Sequence, residues 1–296
     1  MLAAELRAHA PSLELEIIQI KTSGDAKQGT SRAADSDKRD WIHELELALL
    51  DGSIDLAIHS GKDVPAVISE QTMLLPVLPR ENPFDVFIGK SVASGARLKF
   101  AELPSAAAVG TASLRRSAQL RLMRPDLKIV EVRGNVTTRV QKLEESQELM
   151  GIVLAAAGLN RLGLSHIGFE ILPSPACLPA VNQGVLAAHL RRDQFQLIDI
   201  LRGGLVEETC HAEFLAERAC VNLLDADCKS AVSIFARCTG LQVALHAKVM
   251  LPDGSKVIEE RLEDTSERAE QLGRTVAEQL IKRGALEILA ESRRLG

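Results

Sequence analysis

The sequence of 296 residues predicts an α/β protein with parallel-rich sheets and a smaller α+β domain at its C-terminus. The first observation behind this fold class is the alternation of short apolar strands with helical segments from about residue 84, an order that favours parallel sheets flanked by helices. The second is a change of pattern after residue 207. There, two apolar strands flank Pro252-Asp253-Gly254, a hairpin signal, and a long amphipathic helix follows from about Ser266 to Arg283.

Composition and charge restrict the class of protein. With 46% hydrophobic and 25% charged residues the chain has the balance of an ordinary globular protein, and its net charge of −5 argues against a nucleic-acid partner. Its apolar runs are far shorter than the roughly 20 residues of a membrane helix, and its start lacks a secretory signal. Five cysteines without a CxxC pair argue against a disulfide framework or a zinc site. We therefore expect a cytoplasmic protein that binds no nucleic acid, membrane or metal.

The first part of the chain predicts a strand, a loop, a helix and a second strand. The alternating run at 12–20 predicts the first strand, and the polar segment 21–40 an exposed loop. Apolar residues recur at helical spacing from Trp41 to Leu50. Alternation from Ile54 to Ile58 then predicts a strand that ends at HSGKDVP, residues 59–65.

Three strand–helix pairs follow in the second part of the chain. They are 106–110 with 111–123, 128–132 with 133–145, and 151–158 with 159–163. Two segments rich in helix-breaking residues, 79–85 and 172–184, predict crossovers between domains. The resulting domains are residues 1–80 with 185–203, residues 84–180, and residues 207–296.

Arginines stand at all three strand-to-helix junctions of the predicted second domain. They are Arg115, Arg116, Arg133, Arg139 and Arg161. Cations in the first turn of a helix oppose the macrodipole by about 0.3–1 kcal/mol, so helix propensity does not explain them. Ligands of open parallel sheets bind beyond the carboxyl ends of the strands. The pattern therefore favours one ligand with several carboxylates, bound by guanidinium groups and backbone N–H groups together.

Two alternatives to this anion site remain. One is a set of solvated surface arginines, although repetition at three junctions makes this less favourable. The other is a phosphate ligand, but the sequence has no GxxxxGK[ST] or GxGxxG loop.

Asp63 is the candidate catalytic residue of the segment 59–65. A carboxylate that faces an arginine-rich cleft can stabilise developing cationic charge or shuttle protons. Spacing alone slightly favours a structural aspartate in a turn. Lys62 is equally compatible with a solvated lysine, and His59 with a strand-end histidine whose hydrogen bonds are satisfied. Cys228 lies in a loop, although a buried or idle thiol is the default for every cysteine here.

Together, these motifs resemble the hydroxymethylbilane synthase (porphobilinogen deaminase) family. HSGKDVP is similar to the family's HSxKDxP, and GTASLRR, VRGNVTTR, LAAAGLNRLG and LPAVNQG follow in the family's order and spacing. CHAEFLAERA, followed by Cys228, is similar to its cofactor-attachment region. The resemblance runs from about residue 10 to the end. It implies three domains, of which the first two resemble periplasmic binding proteins.

The resemblance implies a monomeric transferase of porphyrin and haem biosynthesis. Family members condense four porphobilinogen molecules head to tail into the linear tetrapyrrole hydroxymethylbilane and release ammonia at each step. The growing chain is held on a dipyrromethane cofactor, which a thioether would link here to Cys228, and Asp63 matches the catalytic aspartate. Arg133, Arg139 and Arg161 match residues that bind substrate carboxylates. The implied cofactor contacts are Ser60, Lys62, Thr111, Ser113, Arg115 and Arg116.

Some segments depart from the family pattern. The RxSxLAxxQ segment is absent, so a chain that begins at Met1 is expected to lack the family's first strand and helix. SDKRDWI replaces the GGKGLF segment of the mobile loop, and Gly61, Asn182, Ala231 and Ser233 replace more common residues. The alternative function is therefore a diverged paralogue that binds a carboxylate-rich small molecule with little or no catalysis. An anion-binding regulator ranks last, because no basic recognition helix is evident.

Overall fold

The computed structural model describes residues 1–20, 38–92, 95–226 and 230–295. Its helices in this part of the chain are α1 (Leu2–His9), α2 (Lys38–Leu50), α3 (Leu114–Met123), α4 (Val136–Glu145), α5 (Ala156–Arg161), α6 (Phe195–Gly204), α7 (Glu208–Leu224), α8 (Ala269–Lys282) and α9 (Ala285–Leu295). Its strands are β1 (Ala57–Ser60), β2 (Thr72–Val77), β3 (Asp85–Gly89), β4 (Ala108–Gly110), β5 (Lys128–Val130), β6 (Leu149–Ala155), β7 (Glu170–Ile171), β8 (Leu186–Arg191), β9 (Ala231–Thr239), β10 (Gln242–Met250) and β11 (Val257–Thr265). The strands form three sheets, which confirms the predicted α/β class.

The second sheet positions the arginine-bearing junctions. Its strand order is β5-β4-β6-β3-β7, with β4 parallel to both β5 and β6. β3 runs antiparallel to β6 and β7, so the sheet is mixed. Because β4, β5 and β6 point the same way, the starts of the helices that follow them meet at one edge of the sheet.

The first sheet has the order β1-β8-β2. β8 enters from the second crossover and pairs antiparallel with both neighbours, which therefore run in the same direction on either side of it. The predicted parallel pairing thus holds for three strands of the second sheet, whereas these described strands of the first sheet pair antiparallel. The physical reason is the return of the chain from the second domain, which inserts β8 between β1 and β2.

The C-terminal unit matches its predicted α+β pattern. β9, β10 and β11 form an antiparallel meander, and the predicted hairpin joins the last two strands. Helices α7 and α8 cover the apolar face of this sheet. A Cβ at Gly273 would lie 2.2 Å from the carbonyl oxygen of Ala216, so the two helices pack at backbone contact.

Two sequence predictions for the first domain were wrong in detail. Residues 12–20 do not form a strand, and Ile17 and Ile18 are 77% and 52% exposed. β1 begins only at Ala57, with His59 on the same buried face and Ile58 turned outward. Strand side chains alternate between faces, so a shift of one residue reverses which set is buried.

The first domain also has a helix at its N-terminus. Helix α1, which the apolar pattern did not predict, packs Leu2 and Leu6 into the core of the first sheet. The helix predicted from Trp41 to Leu50 is confirmed as α2. Residues 21–37 of the predicted loop 21–40 lie outside the described residues, and so do the first two residues of SDKRDWI. Residues 38–40 belong to α2, so that part of the loop prediction was wrong.

The two predicted crossovers meet at a buried ion pair on α7. Arg80 Nη1 lies 3.0 Å from Glu213 Oε2 and 2.8 Å from Glu217 Oε1. Glu217 also accepts hydrogen bonds from the backbone N–H groups of Asn182 and Ala236. One carboxylate therefore joins the first crossover, the second crossover and the C-terminal sheet. Burial lowers the pKa of Arg80, but Glu217 and Glu213 outweigh it and raise that pKa above its ordinary value.

Replacement of Arg80 tests this junction. Arg80→Met leaves two buried carboxylates without their cation, and breaking a buried pair in this way costs about 3–5 kcal/mol. We expect the free energy of unfolding at neutral pH, measured by urea denaturation, to fall by about that amount. The matched control is Arg261→Met, because the Arg261–Glu263 pair is 64% and 60% exposed. That variant is expected to stay within about 0.5 kcal/mol of the parent. An Arg80→Met protein as stable as the control would contradict the assigned role.

Candidate functional site

The helix starts at the edge of the second sheet are capped by side chains. Asn135 Oδ1 accepts a hydrogen bond of 2.8 Å from the backbone N–H of Thr138 at the start of α4. Ser113 Oγ accepts one of 3.4 Å from Arg116 at the start of α3, and its own N–H donates to Thr111 Oγ1 at 3.2 Å. The side chains of Thr111 and Ser113 thereby shape the turn that presents the arginines.

Arg115 and Arg116 form a buried cluster with Asp85 at the start of β3. Arg115 Nη1 lies 2.7 Å from Asp85 Oδ2, and Arg116 Nη2 lies 2.7 Å from Asp85 Oδ1. Burial alone would raise the pKa of Asp85, but the two guanidinium groups hold it well below its ordinary value. Two cations thus face one anion, which leaves this buried cluster with a net positive charge.

These two arginines also bind backbone acceptors. Arg115 Nη1 donates to the carbonyl of Leu178 at 2.6 Å, and Arg116 Nη1 donates to that of Val153 at 3.1 Å. The sequence pattern did not reveal Asp85 or these carbonyls as partners. Their contacts fix the two guanidinium groups against the protein, and the predicted contact with a cofactor stays a prediction.

Arg133 and Arg139 extend the positive charge at the start of α4. Burial lowers the pKa of Arg139, and the positive charges of Arg116 and Arg133 lower it further. Arg133 is exposed and directs its Nε to Glu131 Oε1 at 2.6 Å. The three guanidinium groups therefore share one electrostatic environment, which we call the arginine cluster: Arg116, Arg133 and Arg139.

Arg161 lies at the end of α5, beside the second crossover, and not at the start of a helix as predicted. The reason is that β6 already ends at Ala155, so α5 begins at Ala156 instead of residue 159. Its Nη2 donates to the carbonyl of Gly184 at 2.7 Å. Burial lowers the pKa of Arg161, while the nearby Glu81 raises it. Arg161 also lines a cavity of about 570 Å³ together with Glu5, Glu81 and Glu207. Its environment is more acidic than that of the arginine cluster.

Asp63 lies in a short 3₁₀ turn, Gly61–Asp63, directly after β1. Ser60, Lys62 and Asp63 are each partly buried, so the turn is neither a core element nor a fully solvated one. The N–H of Gly61 donates to the carbonyl of Val185 at 2.9 Å, which anchors the turn to the second crossover. These positions agree with a strand-end site.

A pair of buried histidines lies beneath this turn. The rings of His59 and His189 are 5.4 Å apart between centroids, and both side chains are buried. Burial lowers the pKa of each to about 4. The pKa of His59 is lowered further by His189, although Asp63 raises it. The pKa of His189 is lowered further by the positive charge of Arg218. Both rings are therefore neutral at pH 7.

Cys228 lies outside the described residues, in the link between α7 and β9. Its predicted thioether therefore stays a prediction. Helix α7 ends at Leu224, and Asp225 follows in the left-handed conformation with φ 47° and ψ 41°. The link thus begins directly at the end of the helix that carries Glu217.

Comparison with known proteins decides the family. Residues 1–199 match the family model "Porphobilinogen deaminase, dipyromethane cofactor binding domain", and residues 211–282 match "Porphobilinogen deaminase, C-terminal domain". The chain belongs to the porphobilinogen deaminase family. A porphobilinogen deaminase of Syntrophomonas wolfei is 37% identical over 292 residues, 99% of this chain and 93% of that one. One of Lysinibacillus sphaericus is 40% identical over 286 residues, 96% of this chain and 89% of that one.

The family assignment confirms the predicted resemblance and the predicted class of enzyme, a transferase of tetrapyrrole biosynthesis. Among solved structures, the periplasmic VFT2 domain of Bordetella pertussis BvgS aligns with a TM-score of 0.41 at 16% identity, over 69% of this chain and 74% of that one. YhfZ from Shigella flexneri aligns with a TM-score of 0.35 at 16% identity, over 73% of this chain and 81% of that one.

Two further features are absent from the described part of the chain, a membrane-spanning helix and a metal-binding cluster. No helix there combines the length and apolarity that crossing a membrane requires. No group of three or more histidine, cysteine, aspartate or glutamate side chains in those residues could hold a metal ion.

Two of the departures from the porphobilinogen deaminase pattern lie in contact with each other. A Cβ at Gly61 would lie 3.0 Å from Asn182 Cβ, 3.1 Å from Asn182 O and 3.2 Å from Val185 Cβ. Asn182 is buried with φ 51°, and its Nδ2 donates to Glu217 Oε2 at 3.2 Å. The small residue at 61 therefore accommodates the larger one at 182.

The departure at Ser233 also has a structural explanation. Ser233 is fully buried on β9, and its Oγ donates to the carbonyl of Leu178 at 3.2 Å. Arg115 donates to the same carbonyl oxygen. A hydroxyl group at this position is thus satisfied, and it links the C-terminal sheet to the second crossover.

The contact between Gly61 and Asn182 predicts coupled effects on stability. We expect Gly61→Ala to lower the free energy of unfolding by about 1–3 kcal/mol, because the new methyl group overpacks a filled space. Asn182→Gly removes one of the contacting atoms, so the double variant should be about 0.5–1 kcal/mol more stable than the sum of the single effects. Urea denaturation of all four proteins measures this coupling. Strict additivity would show that the two positions are independent.

The histidine pair predicts an acid-dependent loss of stability. The unfolded chain binds protons at His59 and His189 below their ordinary pKa of 6.5, whereas the folded protein binds them only near a pKa of about 4. Stability is therefore complete above pH 6.5 and falls as the pH drops towards 4. His189→Gln removes one of these protons, so its stability deficit should shrink by about 1–3 kcal/mol between about pH 7 and about pH 4.5.

The exposed His166 provides the matched control for this pH dependence. His166→Gln should leave the slope of unfolding free energy against pH unchanged, because this ring is exposed and pays no cost of burial. A His189→Gln protein with the same slope as this control would show that the buried pair is not the acid-sensitive element.

Proposed function

We propose that the chain is a hydroxymethylbilane synthase that condenses four porphobilinogen molecules into hydroxymethylbilane and releases ammonia at each step. The observation that carries the proposal is the arginine cluster at the start of α4, where burial lowers the pKa of Arg139 and the neighbouring cations Arg116 and Arg133 lower it further. A cation held near other cations gains stability from an anionic ligand. Every added pyrrole unit brings two carboxylates, so a lengthening product requires such an excess of positive charge.

The residues present fit a dipyrromethane group with acidic side chains. Arg115 and Arg116 outnumber Asp85 in a buried place, so an additional anion beside them would be stabilised. When bound, the group supplies the free pyrrole carbon that the first substrate unit joins. We assign Cys228 to its thioether link. The side chains that we assign to its binding are Ser60, Lys62, Thr111, Ser113, Arg115 and Arg116.

Arg133, Arg139 and Arg161 are the proposed ligands of the substrate's carboxylates. Arg133 is exposed, and Arg139 and Arg161 are partly buried, so all three can reach a ligand from solvent. Their guanidinium forks suit charge-assisted and bidentate hydrogen bonds to carboxylates. This binding orients the substrate and reduces the charge repulsion between successive units.

We assign to Asp63 the stabilisation of positive charge during the reaction. As the carbon–nitrogen bond of the substrate breaks and ammonia leaves, positive charge develops on the pyrrole ring. A partly buried carboxylate stabilises such charge more than a solvated one, since the local dielectric constant is lower. The condensation is completed by formation of a carbon–carbon bond and loss of a proton from the attacked ring, for which Asp63 is the proposed acceptor.

Two variants, one at Cys228 and one at Asp63, test this function in one experiment. The purified parent protein should exceed its sequence mass by one dipyrromethane group, and Cys228→Ser should lose that excess in intact-mass spectrometry. Asp63→Asn should keep the excess but form product about 10²–10⁴-fold more slowly, because the positioned charge and proton acceptor are lost. Product formation is measured by the strong absorbance of the porphyrin that forms when the product is cyclised and then oxidised with an added oxidant.

The matched controls are Cys238→Ser and Asp55→Asn. Cys238 is partly buried on β9, and the side chain of Asp55 is exposed outside the turn. Both variants should keep the mass excess and the parent rate. A parent protein that binds porphobilinogen saturably without releasing ammonia would instead support the non-catalytic carboxylate binder.

A further inference from the structure

Arg218 on α7 binds the backbone directly after Asp63. Its Nη2 donates to the carbonyl of Pro65 at 2.8 Å and to that of Ala66 at 2.6 Å, and its Nη1 donates to that of Val64 at 3.4 Å. One guanidinium group of the C-terminal unit therefore holds three consecutive carbonyls of the first domain. Such a forked, planar donor can satisfy several acceptors at once, which a lysine cannot do with the same geometry.

Arg218 is buried, so its contacts with the backbone belong to the interior of the protein and not to its solvated surface. The side chain is buried, and among the described residues no carboxylate forms an ion pair with it. Burial alone lowers the pKa of Arg218 to about 10, so the group remains protonated at neutral pH. A buried cation costs free energy unless its hydrogen bonds are satisfied, and here backbone carbonyls satisfy them. An apolar residue would fill this space at a lower cost in desolvation.

The rest of α7 supports the same attachment. Phe214 and Cys210, one and two turns earlier respectively, pack with Val64 in a shared core. Asn222, one turn later, donates to the carbonyl of Ala66 at 2.6 Å when its amide is oriented to satisfy its neighbours. Successive positions four residues apart thus form one stripe of the helix, and this stripe lies along the segment that follows Asp63.

We propose that Arg218 is a positioning residue that fixes the turn of Asp63 against the end of helix α7. Arg218 lies near the end of α7, and the link with Cys228 begins as soon as this helix ends at Leu224. The last turns of one helix therefore connect Arg218, which binds the carbonyls of residues 64–66, to the start of the link. The inference rests on the proposed function, because it gives Asp63 and Cys228 their roles.

The test combines hydrogen–deuterium exchange with kinetics of the full-length protein. Arg218→Met should accelerate amide exchange in residues 61–69 at least tenfold, because three carbonyl contacts are lost. We expect kcat to fall about 10–100-fold while KM changes less than about twofold, since substrate carboxylates are bound elsewhere. The mass excess should remain. Arg218→Lys should be intermediate in both exchange and kcat, because it keeps the charge but loses the fork.

Controls and a milder variant separate positioning from simple destabilisation. Arg237→Met changes an exposed arginine of the same unit and should alter neither exchange in 61–69 nor kcat. Asn222→Ala removes only one donor at an exposed position and should show the same local acceleration to a smaller extent. If Arg218→Met fails to fold, this variant decides the question. Unchanged exchange in 61–69, or accelerated exchange with an unchanged kcat, would overturn the proposal.

The two proposals can fail separately in this design. A parent protein without mass excess or turnover refutes the synthase function and, with it, the positioning of catalysis. In that case local exchange in Arg218→Met would still show whether the guanidinium holds the turn. A parent with full activity and an Arg218→Met protein that matches it in kcat would refute the positioning role alone.

Discussion

The relative placement of the three sheets depends on the buried carboxylate of Glu217. It binds Arg80 of the first crossover, Asn182 of the second crossover and the N–H of Ala236 in the C-terminal sheet. Apolar burial stabilises each core but is non-directional, so it does not by itself fix how the cores are oriented. A buried anion with several directional partners does, since each partner left unpaired costs about 1–3 kcal/mol.

Helix α7 uses adjacent residues for different attachments. Glu217 holds the two crossovers, whereas Arg218 holds the backbone that follows Asp63. Successive residues of a helix differ by about 100° in direction, so two neighbouring side chains reach different parts of the protein. One helix of the C-terminal unit therefore contacts both the interdomain connections and the candidate catalytic turn.

Arginine positions at helix starts could be predicted from the sequence because they depend on local motifs. Ion-pair partners and strand register could not, because they depend on residues far apart in the chain. The positions of four arginines beside helix starts follow from short motifs, and the structure has Arg115, Arg116, Arg133 and Arg139 there. The partnership of Arg115 with Asp85 joins residues 30 positions apart, so no local pattern displays it. Likewise, the register of β1 depends on its pairing with β8, which follows more than a hundred residues later. Apolar alternation alone could not decide which face of that strand is buried.

The placement of two arginines at the start of α3 has a consequence for the order in which this helix can form. On its own, the segment would carry repelling cations at the positive end of its dipole, so its first turn is not favoured locally. The compensating Asp85 belongs to a strand that is synthesised earlier. During translation the counter-ion emerges before the helix that needs it. Chain order thus supplies the electrostatic partner of the two arginines before they are synthesised.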